Sequence, residues 1–406
     1  MKRIIFHIDV NNAFLSWEAL YRIRELGETR DLRTIPSAVG GDKESRHGII
    51  LARSMPARTY GIKTAETIGE ALKKCPDLVI VPPRRWIYDE NSHRLMELLH
   101  EYSPVIEKFS IDEAFADMTD TSGDILSAPL TVAEELRQTI YDRLGFTVNI
   151  GVSSNKLLAK MASDFEKPDK VHSLFPHEIQ KKMWPLPIRD LLFVGRSTEQ
   201  KLYNLGIRTI GDLARSDRDI ICRHLGKHGS MIHDYANGID ESPVAAEAAE
   251  SKGYGNSTTI SHDVTDPHEA RDILRTLCDS VGKRLQRDHV RAGVVAVSIK
   301  NSAFVRNSHQ RTLSSATDSP DELYEQSCRL FDECWDGSPI RLLGVSTSKI
   351  TKEALRQLNL FDHEKIEKQQ RLDSAIDEIR NRFGDDAIIQ AGTLLTTAKK
   401  DHCPEQ

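Results

Sequence analysis

A chain of 406 residues exceeds what one hydrophobic core organises, so roughly two to four modules are expected. With 39% hydrophobic and 29% charged residues it falls among ordinary globular proteins, outside the disordered and membrane-spanning classes. A net charge of −6 excludes a chain coated with cations, so any contact with a polyanion has to come from a local basic surface.

The start, Met1-Lys2-Arg3-Ile4-Ile5-Phe6-His7-Ile8-Asp9, reaches a charge too soon for a secretory segment. No apolar run approaches the roughly 20 residues that cross a bilayer, so a cytoplasmic protein without membrane contact is expected. Residues 2–10 read as a strand, and Asn11-Asn12 open an amphipathic helix to Leu26. Asp9 therefore sits where a strand ends and a polar side chain leaves the core. Residues 30–75 combine a Gly40-Gly41 turn, a strand at Gly48-Ile49-Ile50-Leu51 and short helices around Ala57 and Ala71. A buried strand at 78–81 and a helix over 86–102 follow. Val105-Ile106-Glu107-Lys108-Phe109 then turns through Ser110-Ile111-Asp112-Glu113 into Ala114-Phe115-Ala116, a hairpin with two acids at its tip. A helix over 130–144 and a strand over 147–152 complete a βαββαβ order that takes in the strand at 78–81, an antiparallel or mixed sheet with helices on one side.

After Pro185 the pattern changes to short helices, over 191–205, 209–214 and 220–237. Residues 241–253, rich in Ala and Glu, resemble a linker. A further unit follows, with helices at 266–286 and 321–335 and strands at 293–300 and 340–350. The strand from Ala292 to Lys300 alternates poorly enough to suggest burial on both faces. Between Val281 and Arg311 stand Lys283, Arg284, Arg287, Arg291, Lys300, Arg306 and Arg311 against one acid, Asp288, which suits a basic face aimed at phosphates. A charged helix is expected over 364–383, and residues 391–395 read as a cap. The six cysteines are scattered without a C-x-x-C pair and read as reduced thiols.

Three carboxylates, Asp9, Asp112 and Glu113, repel one another at short range unless a cation joins them. With no histidine or cysteine partner the donors are all oxygen, which favours a hard divalent ion such as Mg²⁺ held together with substrate phosphates. An acidic pair at a turn is otherwise only a solvated hairpin tip. Phe6-His7-Ile8-Asp9-Val10-Asn11-Asn12-Ala13-Phe14 and Phe109-Ser110-Ile111-Asp112-Glu113-Ala114-Phe115 resemble the two carboxylate motifs of Y-family, lesion-bypass DNA polymerases of the polymerase IV type. The resemblance continues through Ala57-Arg58-Thr59-Tyr60-Gly61-Ile62, through Gly151-Val152-Ser153-Ser154-Asn155-Lys156-Leu157-Leu158-Ala159-Lys160, and into Glu166-Lys167-Pro168.

That resemblance implies an α+β multidomain right hand. Its parts are a palm (1–17 and 80–172), fingers (18–79), a thumb like a helix-hairpin-helix (173–240), a linker (241–252), an α/β little finger (253–350) and a tail (351–406). It implies template-directed, low-fidelity translesion synthesis with two Mg²⁺ ions. Asp9, Asp112 and Glu113 match the catalytic, metal-binding carboxylates, and the carbonyl of Val10 a further ligand. Phe14 matches the steric gate that leaves no room for a ribose 2′-hydroxyl, and Arg58 and Lys167 match the cations on the incoming triphosphate. Lys160 lies in the same run and equally suits a solvated helical stripe.

Two departures from the family pattern bear on the site. Met55-Pro56 stands where Tyr-Glu is usual, which removes a hydroxyl contact to the triphosphate. Phe193-Val194-Gly195 stands where Gly-x-Gly precedes the thumb helix, leaving Gly195 to meet a DNA phosphate. Lys300 is expected among the little-finger contacts to duplex backbone. Gln357-Leu358-Asn359-Leu360-Phe361 looks like the pentapeptide that binds the bacterial sliding clamp, with Gln357, Leu358, Leu360 and Phe361 as anchors. The expected partners are primer-template DNA, deoxynucleoside triphosphates and that clamp, with the enzyme itself a monomer. Two other readings remain at this point: a nucleotidyl cyclase, which also places paired acids on two metals but needs no DNA, and a clamp-tethered DNA-binding protein without catalysis.

Overall fold

The computed structural model describes residues 3–41, 48–119, 128–247 and 250–352, with three single positions (375, 379 and 382) beyond them. Two compact units divide at residues 249 and 250. The clamp-like pentapeptide, the charged helix expected over 364–383 and residues 391–395 lie outside the described residues, those single positions apart.

The first unit is built on a five-stranded sheet of β1 (Ile5–Val10), β5 (Ile106–Lys108), β6 (Glu113–Asp117), β7 (Val148–Ser153) and β8 (Val171–Ser173), in the order β5-β6-β1-β7-β8. All pairings are antiparallel except that of β7 with β8. Side chains alternate across a strand, and β1 uses both faces. Phe6, Ile8 and Val10 join the main core with Trp17, Leu95, Leu136 and Phe146, contributed by α1 (Ala13–Arg24), α4 (Arg85–His100), α5 (Pro129–Leu144) and the turn after α5. Ile5 packs on the opposite face with Phe115 and with Ala159 of α6 (Lys156–Ser163). Helices therefore cover both faces rather than one. The approach of α6 is close enough that a Cβ on Gly151 would fall 1.9 Å from the Ala159 carbonyl oxygen.

Inserted between α1 and α4 is a separate three-stranded sheet of β2 (Ser37–Gly40), β3 (Ile50–Arg53) and β4 (Val79–Val81). β2 is central, antiparallel to β3 and parallel to β4. The strand expected at 78–81 thus belongs to this insertion and not to the main sheet. Gly40 ends β2 rather than forming a turn. The insertion also carries α2 (Met55–Thr59) and α3 (Ile68–Lys74), the latter opened by a capping box between Thr67 and Glu70.

A helical region follows with α7 (Ile179–Lys182), α8 (Arg196–Asn204), α9 (Ile210–Ala214) and α10 (Arg218–Ala236), and its core includes Leu157, Leu158 and Met161 of α6. The helix expected from residue 191 starts only at Arg196, because Val194 donates back to the Leu191 carbonyl in a tight turn.

The second unit runs β9 (Gly255–Val264), α11 (Pro267–Arg287), β10 (Arg291–Asn301), β11 (Arg306–Thr317), α12 (Pro320–Cys334), β12 (Ile340–Thr351), with an antiparallel sheet ordered β11-β10-β12-β9. Both helices share one core with the sheet. β10 is not buried on both faces. Its pairing with β11 shifts register between Ala292 and Val294, and the bulge is why Val294 and Val295 are buried in succession within an otherwise alternating strand. Cys75, Cys222, Cys278, Cys328 and Cys334 are free thiols. No helix among the described residues is long and apolar enough to cross a membrane.

Candidate active site

The register of the main sheet places Asp9 of β1 opposite Glu113 of β6 and opposite Asn149 of β7. Because period-two alternation turns Asp9 and His7 to the same face, both look toward α6 and away from the main core. The chain leaves the sheet at Val10, whose N–H donates to the Asp112 carbonyl at 3.0 Å, so two motifs a hundred residues apart are tied together by backbone. Asn12, at φ 48° and ψ 47°, makes the left-handed step into α1, a conformation asparagine tolerates better than most residues. Asn11 fixes the bend through Asn149 at 3.1 Å and by accepting from the Asp169 N–H at 2.9 Å.

Charge is balanced locally by two lysines. Lys167 Nζ lies 2.9 Å from Asp9 Oδ2 and 2.8 Å from Asp164 Oδ1, and Lys160 Nζ lies 2.6 Å from Glu113 Oε1. Burial drives the Asp9 carboxyl up to about 7, against the opposing pull of Lys167. Burial also disfavours charge on Lys167, but Asp9 and Asp164 outweigh it and hold its pKa above the ordinary lysine value. Ser110 donates to Asp112 Oδ1 at 2.6 Å. His7 is fully buried, bonded through Nδ1 to Ser163 at 2.8 Å, and kept neutral first by burial and then by Lys160 and Lys167. Its Nε2 has no hydrogen-bond partner and stands 4.0 Å from Glu113 Oε2.

Asp9, Val10, Phe14, Arg58, Asp112 and Lys167 line one cleft of about 340 Å³. The structure thus brings together six of the seven residues expected around the metals and the triphosphate. Glu113 is not in the lining, since Lys160 holds its carboxylate to one side. Phe14 is stacked on the buried Tyr88, with centroids 4.4 Å apart and planes 8° from parallel, so its ring is fixed from behind. Ser54 caps α2 by accepting from the Ala57 N–H, which places Met55 and Arg58 in the cleft.

Arg53, which falls in none of the sequence motifs, lines the same cleft. Its Nη1 donates to Thr64 Oγ1 at 3.0 Å while Nε is buried without a partner. Burial first and the Arg58 charge second lower its pKa, with Glu66 pulling the other way. Two mutually repelling guanidinium groups at one end of a cleft and a lysine with carboxylates at the other make a site for a polyanion carrying divalent cations. No signal in the sequence marked Arg53, because its role depends on β3 being an edge of the inserted sheet.

Gly195 opens α8 and lines a second cavity, with Lys160 and Arg189. In the second unit Lys300 pairs across the sheet with Arg306, two like charges directly opposed. The basic stretch is otherwise divided, with Arg287, Arg291 and Arg311 paired to Asp288, Asp318 and Glu333.

Comparison with known proteins bears on the same residues. The impB/mucB/samB family model matches residues 8–164, its C-terminal domain model residues 251–360, and the IMS family HHH motif residues 176–207. The chain is 43% identical over 394 residues to a DNA polymerase IV of Clostridium acetobutylicum, covering 97% of this chain and 99% of that one. The chain belongs to the DNA polymerase IV family. It is 36% identical over 401 residues to DNA polymerase IV 1 of Bacillus subtilis, covering 98% and 95% of the two chains. A solved Y-family DNA polymerase chimera shares the fold, with a TM-score of 0.75 at 22% identity over 86% of this chain and 100% of that one. The enzyme is therefore a DNA-directed DNA polymerase of α+β construction, and the cyclase and non-catalytic readings fall away.

Proposed function

We propose that this polymerase extends primers by a two-metal mechanism in the cleft between the five-stranded and three-stranded sheets, and that it copies past damaged template bases. The observation that carries the mechanism is the convergence of Asp9, Asp112 and Lys167 with Phe14 and Arg58 on one cleft. The donor set fits magnesium: it is all oxygen, and a buried carboxyl raised to about 7 beside a second carboxylate asks for a cation. Two Mg²⁺ ions held by Asp9, Asp112, Glu113 and the Val10 carbonyl would activate the primer 3′-hydroxyl and stabilise the departing pyrophosphate.

The protein's own groups do the positioning. Lys167, Arg58 and Arg53 hold the triphosphate of the incoming deoxynucleotide, and Arg53 offsets the hydroxyl missing at Met55. Phe14, pressed forward by Tyr88, closes the space a 2′-hydroxyl needs. The Gly195 amide at the start of α8 takes a backbone phosphate, and the Lys300–Arg306 pair takes another, since a phosphate relieves the repulsion between them. These contacts read no bases and are sensitive to salt. Gln357, Leu358, Leu360 and Phe361 tether the polymerase, as a monomer, to a bacterial sliding clamp. Damage tolerance is supported by the family resemblance.

Primer extension with Mg²⁺ on an undamaged template tests the core of this reading. Extension is expected, and Asp112→Ala or Glu113→Ala should abolish it while primer-template binding persists. Activity surviving either change overturns the assignment. A panel of abasic and adducted templates tests bypass, and arrest at every lesion would remove that part.

A further inference from the structure

The turn over residues 191–194 closes through Val194 N–H donating to the Leu191 carbonyl at 3.0 Å. Its third residue is Phe193, with φ of +68°. Glycine is the usual occupant of such a position because it has no Cβ to clash, and a bulky side chain there is strained. Strain of this kind is ordinarily offset by burial, yet Phe193 is 52% exposed and stands outside the core formed by Leu191, Val194 and Leu202. Tyr235 lies near it, with ring centroids 6.2 Å apart and tilted. Two residues on, Gly195 opens α8 with nothing within 4 Å of where a Cβ would stand. The chain thus holds an aromatic ring outward, in an unfavourable backbone conformation, beside an open helix start.

A cavity of about 470 Å³ separates this turn from α6, with Phe193, Gly195 and Arg189 on one side and Lys160 and Asp164 on the other. Lys160 is also the residue that grips Glu113. The turn therefore faces the back of the reaction centre across a space whose charged lining is mixed, Lys160 and Arg189 with Asp164 and Asp190, and whose one ring is Phe193. Resting on the reading of Gly195 as a phosphate contact, we propose that Phe193 is a DNA-contacting residue, its ring lying against the deoxyribose next to the phosphate at Gly195. It adds an apolar contact, insensitive to salt, to a grip otherwise made of charge.

The test compares Phe193→Asn and Phe193→Tyr with the unaltered full-length enzyme in primer-template binding across a salt series, together with thermal melting. Asparagine accepts left-handed backbone and removes the ring, whereas tyrosine keeps the ring. Phe193→Asn should melt no lower than the parent and bind at least about fivefold more weakly. Its slope of log affinity against log salt should be unchanged, because the same phosphates remain neutralised. Phe193→Tyr should bind as the parent does. Parental affinity in Phe193→Asn overturns the proposal, as does weaker binding accompanied by a lower melting point or a shallower salt slope. Gly195→Asp, which keeps a good helix cap but repels phosphate, tests the underlying reading separately. Weaker binding by Gly195→Asp supports the phosphate contact, and unchanged binding removes it whatever the Phe193 series shows.

Discussion

Asp9 carries the strongest electrostatic conflict in the cleft, a carboxyl whose burial opposes the charge its chemistry requires. Its pKa of about 7 lies above the ordinary 3.8, so folding favours the protonated form. The stability this contributes is complete below about pH 3.8 and disappears as pH climbs through about 7. Melting temperatures of the metal-free enzyme are expected to fall across that window, and Asp9→Asn should flatten the fall; an identical pH profile in the variant would contradict the assignment. Around the triphosphate, Arg53→Ala should raise the KM for deoxynucleotides about tenfold or more, the scale of a hydrogen bond to a charged group, with kcat little changed. Single-nucleotide incorporation kinetics measure the split. Tyr88→Ala leaves Phe14 in place but removes the ring it stacks on, so ribonucleotide incorporation should rise, though less than in Phe14→Ala.

Among the elements, the contact between β7 and α6 controls where Lys160 meets Glu113. A methyl group on Gly151 has no room against the Ala159 carbonyl, so Gly151→Ala forces the helix outward. Overpacking of this kind costs about 1–3 kcal/mol, and denaturant unfolding should show a drop of that order together with reduced extension activity. How far elements were legible in the sequence follows their place in a sheet. Central strands such as β1 and β7 bury every residue and announce themselves as apolar runs. β9 and β11 are the two edges of the second sheet and carry no such signal: Gly255-Asn256-Ser257-Thr258-Thr259 and Arg306-Asn307-Ser308-His309-Gln310 expose most of their side chains. Polar edges discourage pairing with other chains, and the same polarity hides them from a hydrophobic pattern. The strand at 79–81 was visible as a strand, but which sheet it joins is decided by its parallel partner β2, a long-range choice that local composition does not encode. The carboxylates were legible because acids at strand ends stand out against the apolar residues preceding them, whereas Arg53 and Tyr88 gain their roles only from tertiary packing.

On the scale of the molecule, two units each hold their own core, and DNA contacts are proposed on both. Removing the second unit by cleavage in the linker should leave single-nucleotide addition by the first at high DNA concentration. The salt dependence of binding should become shallower, by about 1 in slope for each phosphate the second unit had neutralised; an unchanged slope would place all phosphate contacts on the first unit. Changing Leu360 and Phe361 to Ala should abolish stimulation by a sliding clamp without altering unassisted extension. Within the first unit, the three-stranded sheet enters after α1 and returns at α4, and these two helices pack on each other. Arg53, Met55 and Arg58 all come from this excursion, while Asp9 and Glu113 come from the sheet it departs from and Asp112 from the turn that leads into β6. Two of the three cations proposed on the triphosphate are thus carried by the excursion, and the third, Lys167, stays with the carboxylates. Transplanting the excursion from a relative with tyrosine at position 55 should move the nucleotide KM toward that relative's and leave the rate of bond formation with the recipient.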